Sequence, residues 1–237
     1  DSMSELLELQ NLQVHFHTPR GTVQAVRGVD LTLQSGEVLA IVGESGCGKS
    51  ALLKAIMRLL PQTASIEGRI LINGDDIAPY KEKELQKLRG RLFSMVFQDP
   101  MTALNPSMTI GSQIAEASVI HEPKISRDAL RARVLELMEL VGIDRAPERM
   151  KLYPHNFSGG MRQRAVMAIA LAARAPILLA DEPTTALDVT IQAQILDLLR
   201  EIQQKLGTAT ILVSHDLGVV ARAADRVAVM YAGKIVE

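Results

Sequence analysis

Short apolar runs along this chain alternate with longer stretches of helical periodicity. The run Val38–Val42 is apolar throughout, which is typical of a strand buried on both faces of a parallel sheet. Residues 6–16 and 22–33 instead form two β segments around the turn Thr18–Gly21. Further strands are predicted at 67–72, 91–97, 177–180, 208–213, 226–231 and 234–236. Strands that alternate with helices predict an α/β fold.

Helical periodicity dominates residues 101–156, between two of the predicted strands. Ser126 is a suitable N-cap for a helix that Gly142 ends. The apolar positions between these two residues share one face of that helix: Leu130, Val134, Leu137 and Val141. We therefore predict a helical insertion into the α/β core, with its apolar stripe packed inward and its loops available for docking.

Length and composition fit one large α/β domain. The 237 residues carry a formal net charge of −1, so no basic field would attract nucleic acid. The single cysteine, Cys47, excludes a disulfide framework and is typical of a reducing compartment. The longest apolar run, Ala165–Ala173, is too short to span a bilayer, and the first residues do not resemble a signal peptide. These features predict a cytoplasmic protein and leave a membrane-bound partner open.

The sequence after Val42 matches the phosphate-binding loop pattern G-x-x-x-x-G-K-S. Its residues are Gly43, Glu44, Ser45, Gly46, Cys47, Gly48, Lys49 and Ser50. Small residues let successive backbone N–H groups surround a polyphosphate, Lys49 reaches the outer phosphates, and the Ser50 hydroxyl can ligate Mg²⁺. A helix predicted at 51–60 would point its positive N-terminal end at the same phosphates. In this context the pattern predicts a nucleotide site.

Polar residues follow three other predicted strands, at the end where parallel sheets bind ligands. Gln98 follows 91–97 and is either a Mg²⁺ or water ligand or an ordinary loop glutamine. Asp181 and Glu182 follow 177–180, where Asp181 would hold Mg²⁺ through water and Glu182 would polarise an attacking water. His215 follows 208–213 and can hydrogen-bond a terminal phosphate.

Two further features have two interpretations each, and a third has one. Ser158-Gly159-Gly160 opens a helix and is either a second anion-binding arrangement or a simple cap with close backbone contact. Phe16 could stack on an adenine or pack in the core. Asp188, taken alone, is a helix cap.

In this order, the motifs resemble those of the nucleotide-binding subunits of ATP-binding-cassette (ABC) transporters. The matches cover nearly the whole chain: the phosphate loop Gly43–Ser50, Gln98 as Q-loop, Ser158–Arg162 as signature, Asp181-Glu182 as Walker B with its glutamate, Ala186–Asp188 as D-loop and His215 as switch histidine. The resemblance implies a P-loop NTPase core with an antiparallel β subdomain and an inserted helical subdomain. It divides the single domain 1–237 into a core, 1–98 and 157–237, and a helical subdomain, 99–156.

The resemblance also implies roles for these residues. Two such domains, identical or related, pair head to tail, so that ATP on one phosphate loop is covered by the signature and D-loop of the other chain. Glu182 would be the general base, and His215 would position the γ-phosphate and the attacking water. The implied ATP contacts within one chain are the phosphate loop, Ala51, Gln98 and Phe16. The implied Mg²⁺ ligands are Ser50, Gln98 and Asp181, and the implied contacts to the other chain's ATP are Ser158, Gly159, Gly160, Met161 and Asp188.

Three segments have sequences similar to those of the ATPases of dipeptide, oligopeptide and nickel importers: Gln98–Pro106, Tyr153–His155 and Asp188–Gln194. This branch implies a peripheral ATPase at the cytoplasmic face of the cell membrane. It would dock on transmembrane permease subunits by its helical subdomain and act indirectly with an extracytoplasmic solute-binding protein. The sequence departs from the family at Met161, where many members have glutamine, and at Phe16, where the family has tyrosine. Members usually continue beyond the position of Glu237 with a cysteine-containing segment, which predicts that this chain is part of a longer protein.

Three other classes of P-loop protein agree less well with the sequence. A soluble cassette ATPase of DNA repair or translation usually has long insertions or paired cassettes, and this chain has neither. A non-hydrolysing ATP sensor should lack the base or the switch histidine, whereas Glu182 and His215 are both present. A GTPase should contain an Asn-Lys-x-Asp motif, which does not occur here.

Overall fold

Two sheets and the helices packed on them form the fold in the computed structural model, which describes residues 5–97 and 99–237 without the side chains of Pro100 and Met101. The strands are β1 Glu5–Thr18, β2 Gly21–Gln34, β3 Val38–Val42, β4 Ala64–Ile72, β5 Asp75–Asp76, β6 Phe93–Val96, β7 Ile177–Asp181, β8 Ala209–Ser214, β9 Arg226–Tyr231 and β10 Lys234–Ile235. The helices are α1 Lys49–Ile56, α2 Glu82–Leu92, α3 Pro100–Ala103, α4 Ile110–His121, α5 Arg127–Leu140, α6 Ala146–Arg149, α7 Gly159–Ala172, α8 Val189–Leu206 and α9 Leu217–Val220. A 3₁₀ turn spans Pro154–Asn156.

The central sheet has the strand order β10-β9-β3-β8-β7-β6, and all its strands except β10 are parallel. Every residue of β3, β7 and β8 is buried, and apart from Asp181, Thr210 and Ser214 these residues are apolar, as is typical of strands covered on both faces. Because these strands are parallel, the residues that follow them emerge at one edge of the sheet. The fold thereby places the loops after β3, β7 and β8 side by side.

Successive residues of β3 face two different hydrophobic cores. Leu39 and Ile41 pack in a core that includes α1 and the antiparallel sheet β2-β1-β4-β5. Ala40 and Val42 pack in a second core that includes α4, α5, α7 and α8. The central sheet is therefore covered on both faces, and the predicted α/β fold with an antiparallel sheet is confirmed.

The segment between β6 and β7 is helical, as its periodicity predicts. Ser126 caps α5 by accepting a hydrogen bond from the backbone N–H of Ala129 at 3.3 Å, and Gly142 follows the helix with φ 78°. Val134 and Met138 on α5 and Ile114 on α4 lie in the same core as α7. Burial of each such side chain contributes about 2 kcal/mol to folding, which fixes the helical segment to the sheet.

Several predicted boundaries are displaced in the structure, such as the start of β4 at Ala64 rather than Glu67, and two of them have a clear local cause. The helix after the phosphate loop ends at Ile56 rather than near Leu60, because Arg58 adopts a left-handed conformation with φ 55°. Strand β6 begins at Phe93 rather than Arg91, because α2 continues to Leu92 and takes up the preceding residues. None of the helices within 5–97 and 99–237 is both long and apolar enough to cross a membrane.

Candidate functional site

The phosphate loop, the two acids and the histidine meet at the carboxyl edge of the central sheet. The loop follows β3, Asp181 ends β7, and His215 follows β8. Asp181 pairs with Val213, and Val42 pairs with Ser214, so the three strands end in register. The structure therefore assembles three of the four strand-end features that the sequence singles out. The fourth, Gln98, lies outside the described residues.

Glycine is required at two positions of the phosphate loop by close backbone contact. Gly48 has φ 103°, and a Cβ there would lie 2.3 Å from the carbonyl oxygen of Ala25. A Cβ on Gly43 would lie 2.3 Å from the carbonyl oxygen of Met230. The backbones of β2 and β9 thus lie directly against the loop, and no larger residue fits at these two positions without displacing them.

Lys49 is the first residue of α1, and only 5% of it is exposed. Its ammonium group donates to the carbonyl oxygens of Gly43 at 2.5 Å and Glu44 at 2.8 Å, and lies 3.7 Å from the buried Cys47 sulfur. The lysine is thus held inside the curve of the loop, at the positive N-terminal end of a helix. A buried ammonium and a helix N-terminus together make this loop suited to bind a polyphosphate anion.

Ser50 and Asp181 bring two oxygen ligands together next to the loop. The Ser50 hydroxyl donates to Asp181 Oδ2 at 3.0 Å and reaches Oδ1 at 3.3 Å. Burial raises the pKa of the Asp181 carboxyl, the Ser50 hydrogen bond acts in the opposite direction, and the Glu182 charge raises it further. A hydroxyl and a buried carboxylate fit Mg²⁺, which prefers oxygen ligands and is typically held by one or two carboxylates plus phosphates. Within 5–97 and 99–237 there is no cluster of three or more His, Cys, Asp or Glu side chains that could hold a metal alone.

Glu182 and His215 face each other across the ends of β7 and β8. Glu182 Oε1 lies 3.1 Å from His215 Nδ1, with 16% of the glutamate side chain and 58% of the histidine side chain exposed. Glu182 has φ 46°, a strained conformation for a residue other than glycine, and its backbone N–H donates to the carbonyl of Val213 at 2.9 Å. The turn that follows β7 therefore directs the glutamate away from Asp181 and towards the histidine.

The Ser158 segment forms a second cluster with the start of α8. The Ser158 hydroxyl caps α7 by accepting from the backbone N–H of Met161 at 3.3 Å, and Asp188 caps α8 by accepting from that of Ile191 at 2.9 Å. A Cβ on Gly160 would lie 2.8 Å from Ile191 Cγ2, so the two helices touch at their first turns. Ser158 and Asp188 are both exposed. Two exposed helix N-termini thus lie side by side.

Phe16 lies in β1, opposite Val23 of β2 and Ala64 of β4. Its side chain is partly buried and packs against the core beneath the antiparallel sheet. This position is compatible with both interpretations of Phe16, and stacking on adenine stays a prediction.

Sequence reasoning did not identify Arg164 or Gln194. The Arg164 guanidinium donates to the carbonyl of Val141 at 2.7 Å and to Gln194 Oε1 at 3.2 Å, so it joins α7 to both α5 and α8. Arginine and glutamine on partly exposed helix faces are ordinary, and no spacing within the sequence marks them as partners. Only the packing of the helices makes this contact visible.

Comparison with known families supports one interpretation of this site. A family model described as "ABC transporter" matches residues 26–185. The oligopeptide transport ATP-binding protein OppD of Bacillus subtilis is 56% identical over 99% of this chain. The dipeptide transport ATP-binding protein DppD of the same organism is 57% identical, also over 99% of this chain. The chain spans 66% of the first relative's length and 70% of the second's.

Solved structures of other proteins share this fold. A dimeric post-hydrolysis state of the ATP-binding cassette MJ0796, bound to ADP and Pi, matches with a TM-score of 0.85 and 29% identity, over 98% of this chain and 97% of that one. The protein cbiO1 of Clostridium perfringens, described as part of the ABC transporter complex cbiONQ, matches with a TM-score of 0.86 and 31% identity, over 99% of this chain and 88% of that one. These matches agree in fold and extend over nearly the whole chain.

Proposed function

This chain belongs to the ABC transporter family, and on that premise we propose that it binds and hydrolyses ATP to power an importer of peptides or a related small solute. The observation that carries the proposal is the convergence of the phosphate loop, the Ser50–Asp181 pair and the Glu182–His215 pair at one sheet edge. The solute class is supported by the peptide transport relatives.

The phosphate loop binds the triphosphate of ATP through its backbone N–H groups and the Lys49 ammonium. Lys49 exchanges its hydrogen bonds with the carbonyls of Gly43 and Glu44 for phosphate oxygens. Mg²⁺ would be held by Ser50, Asp181 and Gln98 and would neutralise phosphate charge. Asp181 has a raised pKa because it is buried, so a cation beside it offsets the cost of its ionised form.

Glu182 accepts the proton of the attacking water as general base, and His215 orients that water and the γ-phosphate. Their contact at 3.1 Å supports this division of work, because each side chain restrains the other at the mouth of the loop. The left-handed turn at Glu182 also supports these two roles, because it directs the glutamate towards His215. Asp181 and Glu182 are adjacent in sequence, yet one is buried beside Ser50 and the other faces His215.

Two copies, or this chain and a related one, enclose ATP between them. Ser158, Gly159, Gly160, Met161 and Asp188 contact the nucleotide held by the other subunit's phosphate loop. The exposed N-termini of α7 and α8 support this role, since both present positive helix ends to solvent. The dimeric ADP-bound cassette with the same fold supports the pairing.

The remaining partners follow from the same proposal. Residues 99–156 form a helical subdomain that docks on transmembrane permease subunits, while 1–98 and 157–237 form the core. The protein is then peripheral at the cytoplasmic face of the membrane and acts indirectly with an extracytoplasmic solute-binding protein. Closure of the dimer on ATP and reopening after hydrolysis would shift the permease between two states.

Glu182→Gln provides the test of the proposal. It keeps the shape of the side chain and removes the base, so we expect turnover to fall by at least ~10²-fold while Mg-ATP traps a dimer on size-exclusion chromatography. Glu201→Gln, an exposed glutamate on α8 that pairs with Lys205, is the matched control and should behave as the parent. A Glu182→Gln protein that hydrolyses ATP at the parent rate would show that the base is another residue.

A further inference from the structure

The guanidinium of Arg164 joins three helices close to the exposed N-termini of α7 and α8. Arg164 lies on α7, and its Nη1 donates to the carbonyl of Val141 at the end of α5. Its Nη2 donates to Gln194 Oε1 on α8. The rigid fork of arginine can make both bonds at once, which a lysine cannot reproduce.

The same two helices touch one turn earlier. Gly160 and Arg164 are four residues apart on α7, while Ile191 and Gln194 are three apart on α8, so each pair shares one helix face. The Gly160 position contacts Ile191, and Arg164 contacts Gln194. Two successive contacts therefore fix the angle between the helices as well as their separation.

The Gly142 position leaves room for this guanidinium. A Cβ on Gly142 would lie 2.6 Å from Arg164 Nη1, and its φ of 78° already disfavours other residues. Gly142 follows α5, whose last carbonyl groups carry the negative end of the helix dipole. The arginine thus caps α5 and crosslinks α7 to α8 with one charge.

We propose that Arg164 is a positioning residue that holds the Ser158 end of α7 and the Asp188 end of α8 as one rigid unit with α5. The inference rests on the proposed function, in which both ends contact ATP bound to the other subunit. A rigid unit presents both contacts together, so the entropy of aligning them is not lost during dimer closure. It also ties that unit to the helical segment, so movement of α5 moves both contacts.

Two variants separate the contacts. Gln194→Leu removes the acceptor on α8 and leaves the bond to Val141, whereas Arg164→Lys keeps the charge near Val141 and loses the fork. Arg200→Lys is the matched control, because Arg200 also joins a backbone carbonyl and a side-chain oxygen, on Ala223 and Asp225, away from α7. All three are made in the full chain that carries Glu182→Gln.

The measurement is the Mg-ATP concentration at which half of the protein is dimeric. We expect both variants to require about 10-fold more ATP than the control, the effect of one lost charge-assisted hydrogen bond. Binding of a fluorescent ATP analogue to the monomer and the thermal unfolding midpoint should match the control. The double variant should cost no more than the worse single variant, because both act on one contact.

Three outcomes overturn the inference. Dimerisation identical to the control would show that the contact does not position the two ends. If the variants dimerise less well only to the extent that their monomers also bind the ATP analogue more weakly and unfold at a lower temperature than the control, Arg164 only stabilises the fold. If Glu182→Gln itself forms no dimer with Mg-ATP, two copies of this chain do not enclose ATP between them and this inference falls, whereas the first two outcomes leave that pairing standing.

Discussion

Ser50 and Asp181 are 131 residues apart in sequence, yet the serine hydroxyl donates to the aspartate Oδ2 at 3.0 Å. The bond joins the first turn of α1 to the end of β7, the two segments that carry the phosphate-binding loop and the acidic pair. Its two oxygens belong to residue types that hold Mg²⁺ beside phosphates.

Asp181→Asn should weaken the binding of the Mg²⁺ that ATP hydrolysis requires, because it replaces a carboxylate ligand with a neutral amide. We expect the Mg²⁺ concentration for half-maximal activity to rise by about 10-fold or more. The measurement is a Mg²⁺ titration of the ATPase rate. Asp197→Asn, which changes an exposed aspartate paired with Arg222, should leave the titration unchanged.

We also expect the stability of the folded protein without nucleotide to depend on pH through the Asp181 carboxyl. Burial raises its pKa above the ordinary value of 3.8, so the folded state binds this proton more tightly than the unfolded state does. Its contribution to stability is therefore lost as pH rises from 3.8 through the raised pKa. Asp181→Asn should unfold at a higher temperature than the parent at neutral pH, with the gap closing in acid. A gap that widens in acid would contradict this sign.

His215→Ala should lower kcat and leave KM for ATP nearly unchanged, since His215 is proposed to orient the reacting groups and not to hold the nucleotide. The expected loss in kcat is on the order of 10²-fold. Steady-state kinetics of the variant measure both constants. His121→Ala, at an exposed histidine that ends α4, serves as the control.

Gly48→Ala should destabilise the protein and abolish ATP binding. The new Cβ would meet the Ala25 carbonyl and force an alanine into a left-handed conformation, where the conformational cost alone is roughly 1–2 kcal/mol. Gly207→Ala isolates that cost, because Gly207 has φ 66° with open space around its Cβ. Thermal unfolding of the two variants should therefore differ by the effect of the clash, and equal midpoints would refute it.

Ser158→Arg should prevent the ATP-induced dimer of Glu182→Gln while leaving ATP binding to the monomer intact. The large cation would occupy the exposed start of α7, which is proposed to face the other subunit's nucleotide. Ser126→Arg provides a close control: Ser126 caps α5 with the same 3.3 Å geometry, so both changes remove a cap worth about 1 kcal/mol. A dimer that survives Ser158→Arg would place the contact elsewhere.

Sequence alone predicted the features that local patterns encode. The apolar runs located β3, β7 and β8, and the residues that follow them were expected to meet because parallel strands end at one edge. Helix ends were less predictable: nothing in the sequence marks Arg58 for a left-handed conformation that ends α1 early.

Contacts between distant helices were not predictable at all. The fit of Gly160 against Ile191 and the bond from Arg164 to Gln194 depend on how α7 and α8 pack. That packing is set by the whole second core and not by any short segment. The paired roles of Asp181 and Glu182 were expected, but the turn that separates them depends on the Glu182 bond to Val213.

The alternation of core-facing residues along β3 has a consequence for how such a molecule can be tuned. Ala40 touches the layer of helices, and its neighbour Ile41 touches the layer built on the antiparallel sheet. Substitutions at adjacent positions of β3 therefore affect separate layers. A change in side-chain volume at one position need not disturb the packing of the other layer. Selection, or an engineer, can alter the packing of the helical layer while the layer built on the antiparallel sheet stays as it is.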